Sequence, residues 1–166
     1  MKTIKLITIF ILVLFVSSCS NKKTENQVAD DKNLAEIIEN EPIEASIFDR
    51  LGGTDGISSI VDDIAEAHLI NPVIKDVFLP LKEDPAHFES FKVHVKEFLA
   101  SGTGGGVTYT GKDLPTAHKG LQTTEKEFLS AVDDILMVLS KHNIDDETKK
   151  DMLYILYSMK GAVIGK

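Results

Sequence analysis

Apolar residues along most of this chain recur every three or four positions, which is typical of one face of an α-helix. The first long stretch of this kind places on one face Ile57, Ile60, Val61, Ile64 and His68. A short amphipathic turn at 47–51 precedes it. Either Thr54 or Asp55, just beyond the break at Gly52-Gly53, is expected to cap this helix. Asn71-Pro72 is expected to end it.

Two further stretches lead to the centre of the chain. A short apolar segment at 73–78 is expected to end at Pro80, because proline lacks the backbone N–H that continues a helix. Asp84-Pro85 then opens a helix with proline in its first turn. The apolar stripe of this helix is rich in aromatic residues and consists of Phe88, Phe91, Val95, Phe98 and Leu99.

The last part of the chain predicts two more helices. Thr123 or Thr124 is expected to cap the first, with Glu127 at the spacing of a capping box, and His142-Asn143 is expected to end it. Its buried face is expected to contain Phe128, Val132, Ile135, Leu136 and Leu139. Asp145 starts a final helix with an inward face of Met152, Leu153, Ile155, Leu156, Met159 and Val163. No stretch alternates at period two, so we expect an all-α domain with four long helices.

The first 18 residues read as a targeting segment. Lys2 and Lys5 precede an apolar run from Leu6 to Val16, which is too short to span a bilayer as a permanent helix. Val16-Ser17-Ser18-Cys19 resembles a bacterial lipobox, in which cleavage exposes a cysteine that is then acylated. Cys19 is the only cysteine in the chain, so an intrachain disulfide is excluded. Residues 1–18 are therefore predicted to be a lipoprotein signal peptide, and an ordinary signal peptide with an incidental cysteine is the alternative.

Residues 19–45 are polar and acidic and contain no aromatic residue, which predicts a flexible tether that begins at the lipidated cysteine. Residues 46–166 remain as one domain, long enough to bury a core. The formal net charge of the chain is −8, and loss of the two signal-peptide lysines makes it more negative by two. This acidity argues against nucleic acid as a partner. The expected location is a membrane-anchored lipoprotein, periplasmic or on the cell surface.

A glycine-rich break separates the aromatic helix from a single histidine. Gly104, Gly105 and Gly106 relax the backbone, and His118 follows in a short segment that Gly120 closes. A histidine held close to an apolar helix is a candidate ligand for iron or haem. The alternative for His118 taken alone is an ordinary surface histidine.

Several motifs occur here in an order and spacing that resemble the group I truncated haemoglobins. They are Leu51-Gly52-Gly53, Phe78 after the Asn-Pro break, Gly104-Gly105, Tyr109-Thr110-Gly111-Lys112, and Ala117-His118-Lys119-Gly120. The resemblance covers about residues 46–164. The chain contains no tryptophan, which distinguishes it from the usual group II pattern. The resemblance implies a two-over-two helical sandwich, a shortened globin fold that binds haem b.

The resemblance also implies roles for individual residues. His118 matches the proximal ligand of the iron, and Phe78 matches the phenylalanine at the haem edge. Lys112 or Lys119 could pair with a haem propionate, or either could be a solvated charge. The predicted haem-contacting residues are Phe78, Phe91, His94, Val95, Phe98, Leu99, Lys112, Leu114, His118, Phe128 and Ile135.

The distal side departs from the family pattern. Many members carry a tyrosine and a glutamine there, where this chain has Ala65 and Val95. Loss of these donors removes hydrogen bonds of about 1–3 kcal/mol each, so very tight oxygen storage is not expected. His94 matches a position that in some cyanobacterial members supplies a sixth ligand to the iron. The alternative is that His94 points to solvent or to a propionate.

The other histidines receive lesser roles. His68 falls on the inward period of its helix, but near the C-terminal end, where a cation is favourable. His87 and His142 are expected at helix ends on the surface. Tyr109 is expected to pack the loop beyond the glycines.

These observations lead to three alternative functions. The first is a haem globin that binds oxygen, nitric oxide or carbon monoxide outside the cytoplasm. Its activity could include nitric oxide dioxygenation, which would need a separate reductase. The second is a bis-histidyl electron carrier or haem-holding lipoprotein that uses His94 and His118. The third is a helical interaction module without a cofactor.

Overall fold

Eight helices make up the regular structure of residues 44–166, the part of the chain that the computed structural model describes. They are α1 (Ile47–Arg50), α2 (Gly53–Ile70), α3 (Lys75–Glu83), α4 (Pro85–Gly102), α5 (Leu114–Ala117), α6 (Glu125–Lys141), α7 (Asp146–Ser158) and α8 (Lys160–Val163). The predicted all-α class is confirmed. The predicted signal peptide, the lipidated Cys19 and nearly all of the predicted tether lie outside the described residues.

Helix α2 lies at the centre of the domain and contacts α1, α3, α4 and α6. Seven of its residues are buried, and they are Ile57, Ile60, Val61, Ile64, Ala65, Ala67 and His68. Four of these isoleucine and valine side chains pack in the main core with Leu51, Val138, Leu139 and Met152. Helix α2 pairs with α4, and α6 pairs with α7, so the four long helices form two layers of two.

Helix α2 begins earlier than the capping residues suggested. Its N-cap is Gly52 and its first residue is Gly53, so the prediction of Thr54 or Asp55 as the cap was wrong. Gly52 has a φ of 86°, a left-handed conformation that glycine adopts without strain. At Gly56, an added Cβ atom would lie 2.0 Å from the carbonyl oxygen of Leu51. The Leu51 carbonyl of the α1–α2 turn therefore packs directly on the backbone of α2, which leaves no room for a side chain at position 56.

Pro80 lies inside α3, so the prediction that it ends the short helix was wrong. Proline at this position removes the hydrogen bond to the carbonyl of Asp76. Both residues are exposed, so water can donate to that carbonyl instead. Helix α3 continues to Glu83, and Asp84 then caps α4 through bonds from the N–H groups of Ala86 and His87.

The two helices of the second layer begin where the sequence predicted. Thr124 and Glu127 form the capping box of α6, and Asp145 caps α7. The final helix is not continuous, because α7 ends at Ser158 and α8 starts at Lys160. The Ser158 hydroxyl donates to the carbonyl of Ile155, a local bond that favours a bend or break in the helix.

A second, smaller core lies between α6 and the C-terminal helices. Phe128, Val132 and Leu156 are its buried members, and Val163 and Ile164 pack against it. This cluster joins the end of the chain to the start of α6. Among residues 44–166, no helix combines the length and the apolarity needed to cross a membrane.

We expect Gly56→Ala to destabilise the domain by about 2 kcal/mol or more, since its methyl group would overlap the Leu51 carbonyl and force the α1–α2 turn open. Urea unfolding followed by circular dichroism measures this change. Gly161→Ala is the matched control, because an added Cβ there meets no atom within 4 Å. Equal stability of the two variants would contradict the close approach at Gly56.

Candidate functional site

His118 lies at the C-cap of α5, directly after the single turn 114–117. Asp113 caps the turn by accepting a hydrogen bond of 2.8 Å from the backbone N–H of Thr116. The Nδ1 atom of His118 lies 2.8 Å from the carbonyl oxygen of Leu114. Because a carbonyl only accepts, Nδ1 carries a proton, so in the neutral form of the ring the free lone pair is on Nε2. The geometry therefore prepares Nε2 of a half-buried histidine to bind a metal.

The aromatic stripe of α4 is only half-buried, which separates α4 from the well-packed α2. Phe88, Phe91 and Phe98 are each of intermediate exposure, and Ala100 is the one buried residue of the helix. The Phe91 ring lies 6.0 Å from that of Phe78 and 6.3 Å from that of Phe88. This leaves a connected aromatic surface that the described helices cover incompletely.

His94 belongs to a second aromatic group on α4. Its ring lies 6.5 Å from that of Tyr109, and the Phe98 ring lies 5.3 Å from the same tyrosine. The Tyr109 hydroxyl donates to the carbonyl of Lys112, and burial raises the pKa of Tyr109. The prediction that Tyr109 packs the loop is confirmed. The rings of His94 and Tyr109 thus pack nearly perpendicular to each other.

The loop after the glycines is tied to α4 by one carboxylate. Both the backbone N–H and the hydroxyl of Thr110 donate to Oε2 of Glu97, at 3.0 and 2.7 Å. These bonds lower the pKa of Glu97. The segment that leads to His118 is therefore anchored on the helix that carries the aromatic stripe.

The other residues predicted to contact haem are distributed over the domain. Val95 and Leu99 pack against the main core, Ala65 is buried, and Ile135 packs against both clusters. Phe128 is buried in the second cluster, where its ring contacts Tyr157 at 6.0 Å.

The charged residues and Leu114 have different surroundings. Leu114 is half-buried and accepts the His118 bond through its carbonyl. Lys112 and Lys119 are exposed. His87 is exposed as predicted, whereas His142 is half-buried and bonds to Asp63 at 2.7 Å.

His68 is the residue whose role the sequence underestimated. Its position near the C-terminal end of α2 suggested a cation, but the side chain is buried. The Nδ1 atom donates to Oδ2 of Asp134 on α6 at 2.9 Å, and Asn71 donates to the same oxygen at 2.8 Å. The His68 ring also lies 4.8 Å from that of Phe78. The inward period of the helix was the one sequence signal that pointed to this placement.

Burial lowers the pKa of His68, and the bond to Asp134 opposes this shift without reversing it. A buried imidazolium would lose its hydration, so the neutral ring is favoured in the folded protein. His68 therefore links α2, α6 and the predicted haem-edge Phe78 as a neutral hydrogen-bond donor.

We expect the free energy of unfolding to fall as the pH drops below about 6.5, the usual pKa of histidine. The folded-state pKa of His68 is depressed, so the unfolded chain takes up the proton first and is favoured by acid. Urea unfolding at several pH values between 7.5 and 5 measures how steeply the free energy of unfolding falls with pH. His68→Gln should make this pH dependence weaker. His87→Gln, at an exposed histidine, is the control; an equal effect of both variants would refute the assignment.

Comparisons with known proteins agree with this architecture. The chain matches no protein-family model. It is 26% identical over 121 residues to the group 1 truncated haemoglobin LI410 of Chlamydomonas moewusii, covering 72% of this chain and 68% of that protein.

Two solved structures share the fold at lower identity. The truncated haemoglobin of Tetrahymena pyriformis, in its Fe(III) form, superposes with a TM-score of 0.67 at 20% identity, covering 74% of this chain and all of that one. A group II truncated haemoglobin of Bacillus anthracis, a Tyr26Ala mutant, gives 0.64 at 17% identity, covering 76% and 95%. Residues 44–166 thus have the two-over-two truncated globin fold, and the sequence is similar to that of a group 1 truncated haemoglobin.

Proposed function

We propose that this protein is a haem-b globin of the group I truncated type that binds a diatomic ligand. The observation that carries the proposal is the bond between Nδ1 of His118 and the Leu114 carbonyl. It sets the tautomer that leaves Nε2 free, and a neutral imidazole is a common ligand of haem iron. The similarity to a relative named as a group 1 truncated haemoglobin supports the same assignment.

The partly covered aromatic surface of α3 and α4 fits a flat apolar group. Phe78, Phe91 and Phe98 are aromatic and half-buried, and Val95 and Leu99 continue the same helix face toward the core. A helix that supplied only core packing would bury its stripe as α2 does. Nε2 of His118 would be the ligand of the haem iron. When bound, the haem supplies iron with a coordination position for a small ligand.

The chain would retain that ligand chiefly by excluding water. Ala65 is buried and Val95 is half-buried, and neither side chain carries a hydrogen-bond donor. Each absent bond weakens retention of a polar diatomic ligand by about 1–3 kcal/mol. We therefore expect oxygen to dissociate rapidly, and we expect ligands that depend less on distal hydrogen bonds, such as carbon monoxide and nitric oxide, to be held more tightly.

A second candidate function is bis-histidyl electron transfer or haem storage. Its sixth ligand would be His94 of α4, the position implied by the family resemblance, whose half-buried ring packs against Tyr109 of the following loop. With His94 as a sixth ligand, external ligands would have to displace it. Nitric oxide dioxygenation is a further activity within the first candidate, and it requires electrons from a separate reductase.

The proposed location rests on the N-terminal sequence. Residues 1–18 would be removed as a signal peptide, Cys19 would be acylated, and residues 19–45 would tether the globin domain to a membrane outside the cytoplasm. The polar and acidic composition of residues 19–45 supports the proposed flexible tether.

The test of haem binding is an optical spectrum of the full chain supplied with haem, ferric and then dithionite-reduced. We expect a Soret band, and we expect His118→Gly to weaken haem binding by roughly tenfold or more. Added imidazole should restore the spectrum by occupying the space of the lost ring. His87→Gly, at an exposed histidine, should behave like the unmodified chain. A protein that stays colourless would refute the haem globin proposal and favour a helical interaction module.

The same spectra separate the two candidates. A six-coordinate low-spin spectrum that His94→Leu converts to a five-coordinate one would support the bis-histidyl function. A ferrous spectrum that is five-coordinate from the start, and that shifts at once with carbon monoxide, would support an open ligand-binding site. In that case His94 would not be an iron ligand.

The lipid anchor has its own test. We expect the full chain, expressed in a bacterial host, to fractionate with membranes and to incorporate labelled palmitate. Cys19→Ser should abolish the label and move the protein to the soluble fraction. Equal membrane association of both proteins would contradict an anchor at Cys19.

A further inference from the structure

The segment that carries His118 has almost no burial of its own. Helix α5 is one turn long, and within residues 44–166 none of its four residues is buried. A single isolated turn is unstable, because its nucleation is not repaid by further hydrogen bonds. A metal ligand nevertheless has to be held within a fraction of an ångström of its working position. Contacts from elsewhere in the chain must therefore supply the rigidity.

Glu97 anchors the chain before His118, and residues 165 and 166 supply the contacts on the side after it. The backbone carbonyl of Lys166 accepts hydrogen bonds from the N–H groups of Gly120 and Gln122, both at 3.0 Å. The side-chain Nε2 of Gln122 donates to the same oxygen at 3.2 Å. The N–H of Gly165 donates to the carbonyl of Thr123 at 3.0 Å. Four bonds thus join residues 120–123 to residues 165–166, and we call this pairing the C-terminal clasp.

The conformation of Gln122 shows that the clasp constrains the backbone. Gln122 has a φ of 50°, in the left-handed region that residues with a Cβ atom rarely adopt. Such a conformation persists where surrounding contacts enforce it. Here the backbone and the side chain of Gln122 both donate to one carbonyl oxygen, so the clasp supplies the enforcement.

The clasp is itself attached to rigid structure. Helix α8 contacts α5, and Lys160 at its start pairs with Glu125 at the start of α6. Val163 and Ile164 pack on the second core cluster, which contains Phe128. Packing of Val163 and Ile164 on the second core cluster therefore fixes the position of residues 165–166. Through their hydrogen bonds, these two residues in turn fix the backbone at Gly120, two residues after His118.

We propose that the C-terminal clasp is the positioning element for His118, and that it determines how firmly this histidine holds the haem iron. The effect on haem binding rests on the proposed function, but the clasp itself can be tested in the haem-free chain. The Leu114 bond selects the tautomer of His118, and the clasp locates the segment in space. Residues 165–166 would thus control the proximal ligand without contacting the cofactor.

The test compares two forms of the full chain. Deletion of Gly165 and Lys166 removes the donor and the acceptor that the chain end contributes to the clasp, whereas Lys166→Ala keeps the backbone carbonyl and serves as the matched control. In the haem-free chain, we expect the Gly120 and Gln122 amides to be protected from hydrogen exchange in the control and to exchange at least tenfold faster in the deletion. Equal protection in both would overturn the clasp.

With haem bound, we expect the deletion to lose haem to apomyoglobin about tenfold faster than the control. The ferrous iron–histidine stretching band in resonance Raman spectra should broaden as His118 gains freedom. Unchanged haem loss and an unchanged band would overturn the positioning role.

A second variant covers the case in which the deletion unfolds. Gln122→Gly keeps the left-handed backbone while it removes one side-chain donor of the clasp and frees the backbone at that residue. Faster haem loss and faster exchange of the Gly120 amide than in the control would support the positioning role, and unchanged values of both would overturn it. A protected clasp in a chain that takes up no haem would refute the proposed function alone.

Discussion

Burial of α2 between α4 and α6 is the interaction on which the rest of this domain depends. Seven residues of α2 are buried, and full burial of each large aliphatic side chain contributes about 1.5–3 kcal/mol. The close approach of Gly56 to the Leu51 carbonyl sets the angle at which α1 enters this helix. With α2 placed in this way, the aromatic face of α4 is left half-buried.

The apolar residues of the domain fall into two groups, those packed in the two cores and those of the half-buried α4 stripe. The main core and the second cluster are closely packed, with side chains such as Val61, Leu139 and Met152 almost inaccessible to water. The stripe of α4 remains half-buried although it is equally apolar. Partly covered aromatic surface of this kind is typical of a binding groove, and a ligand that binds it only in the folded state would stabilise the fold.

Three histidines show how environment selects a role. His68 donates to Asp134 inside the core, where burial lowers its pKa and keeps it neutral. His118 donates through the same ring atom to a backbone carbonyl, but at half-exposure, so its second nitrogen is available to a ligand. His94 packs against Tyr109. His68 and His118 share the same tautomer, so burial and the bonding partner distinguish the structural histidine from the candidate iron ligand.

Signals that act over a few residues were enough to predict the helical class, the starts of α4, α6 and α7, and His118 as the candidate ligand. The motifs around His118 also predicted the truncated globin fold that the comparisons support. Pro80 inside α3 and the buried pair of His68 with Asp134 were not predictable in this way. His68 and Asp134 are 66 residues apart, and Gln122 and Lys166 are 44 apart. Contacts over such separations depend on how whole helices pack. Capping motifs and apolar periodicity therefore predict the helices themselves, but only the tertiary structure decides which side chains from distant parts of the chain come into contact.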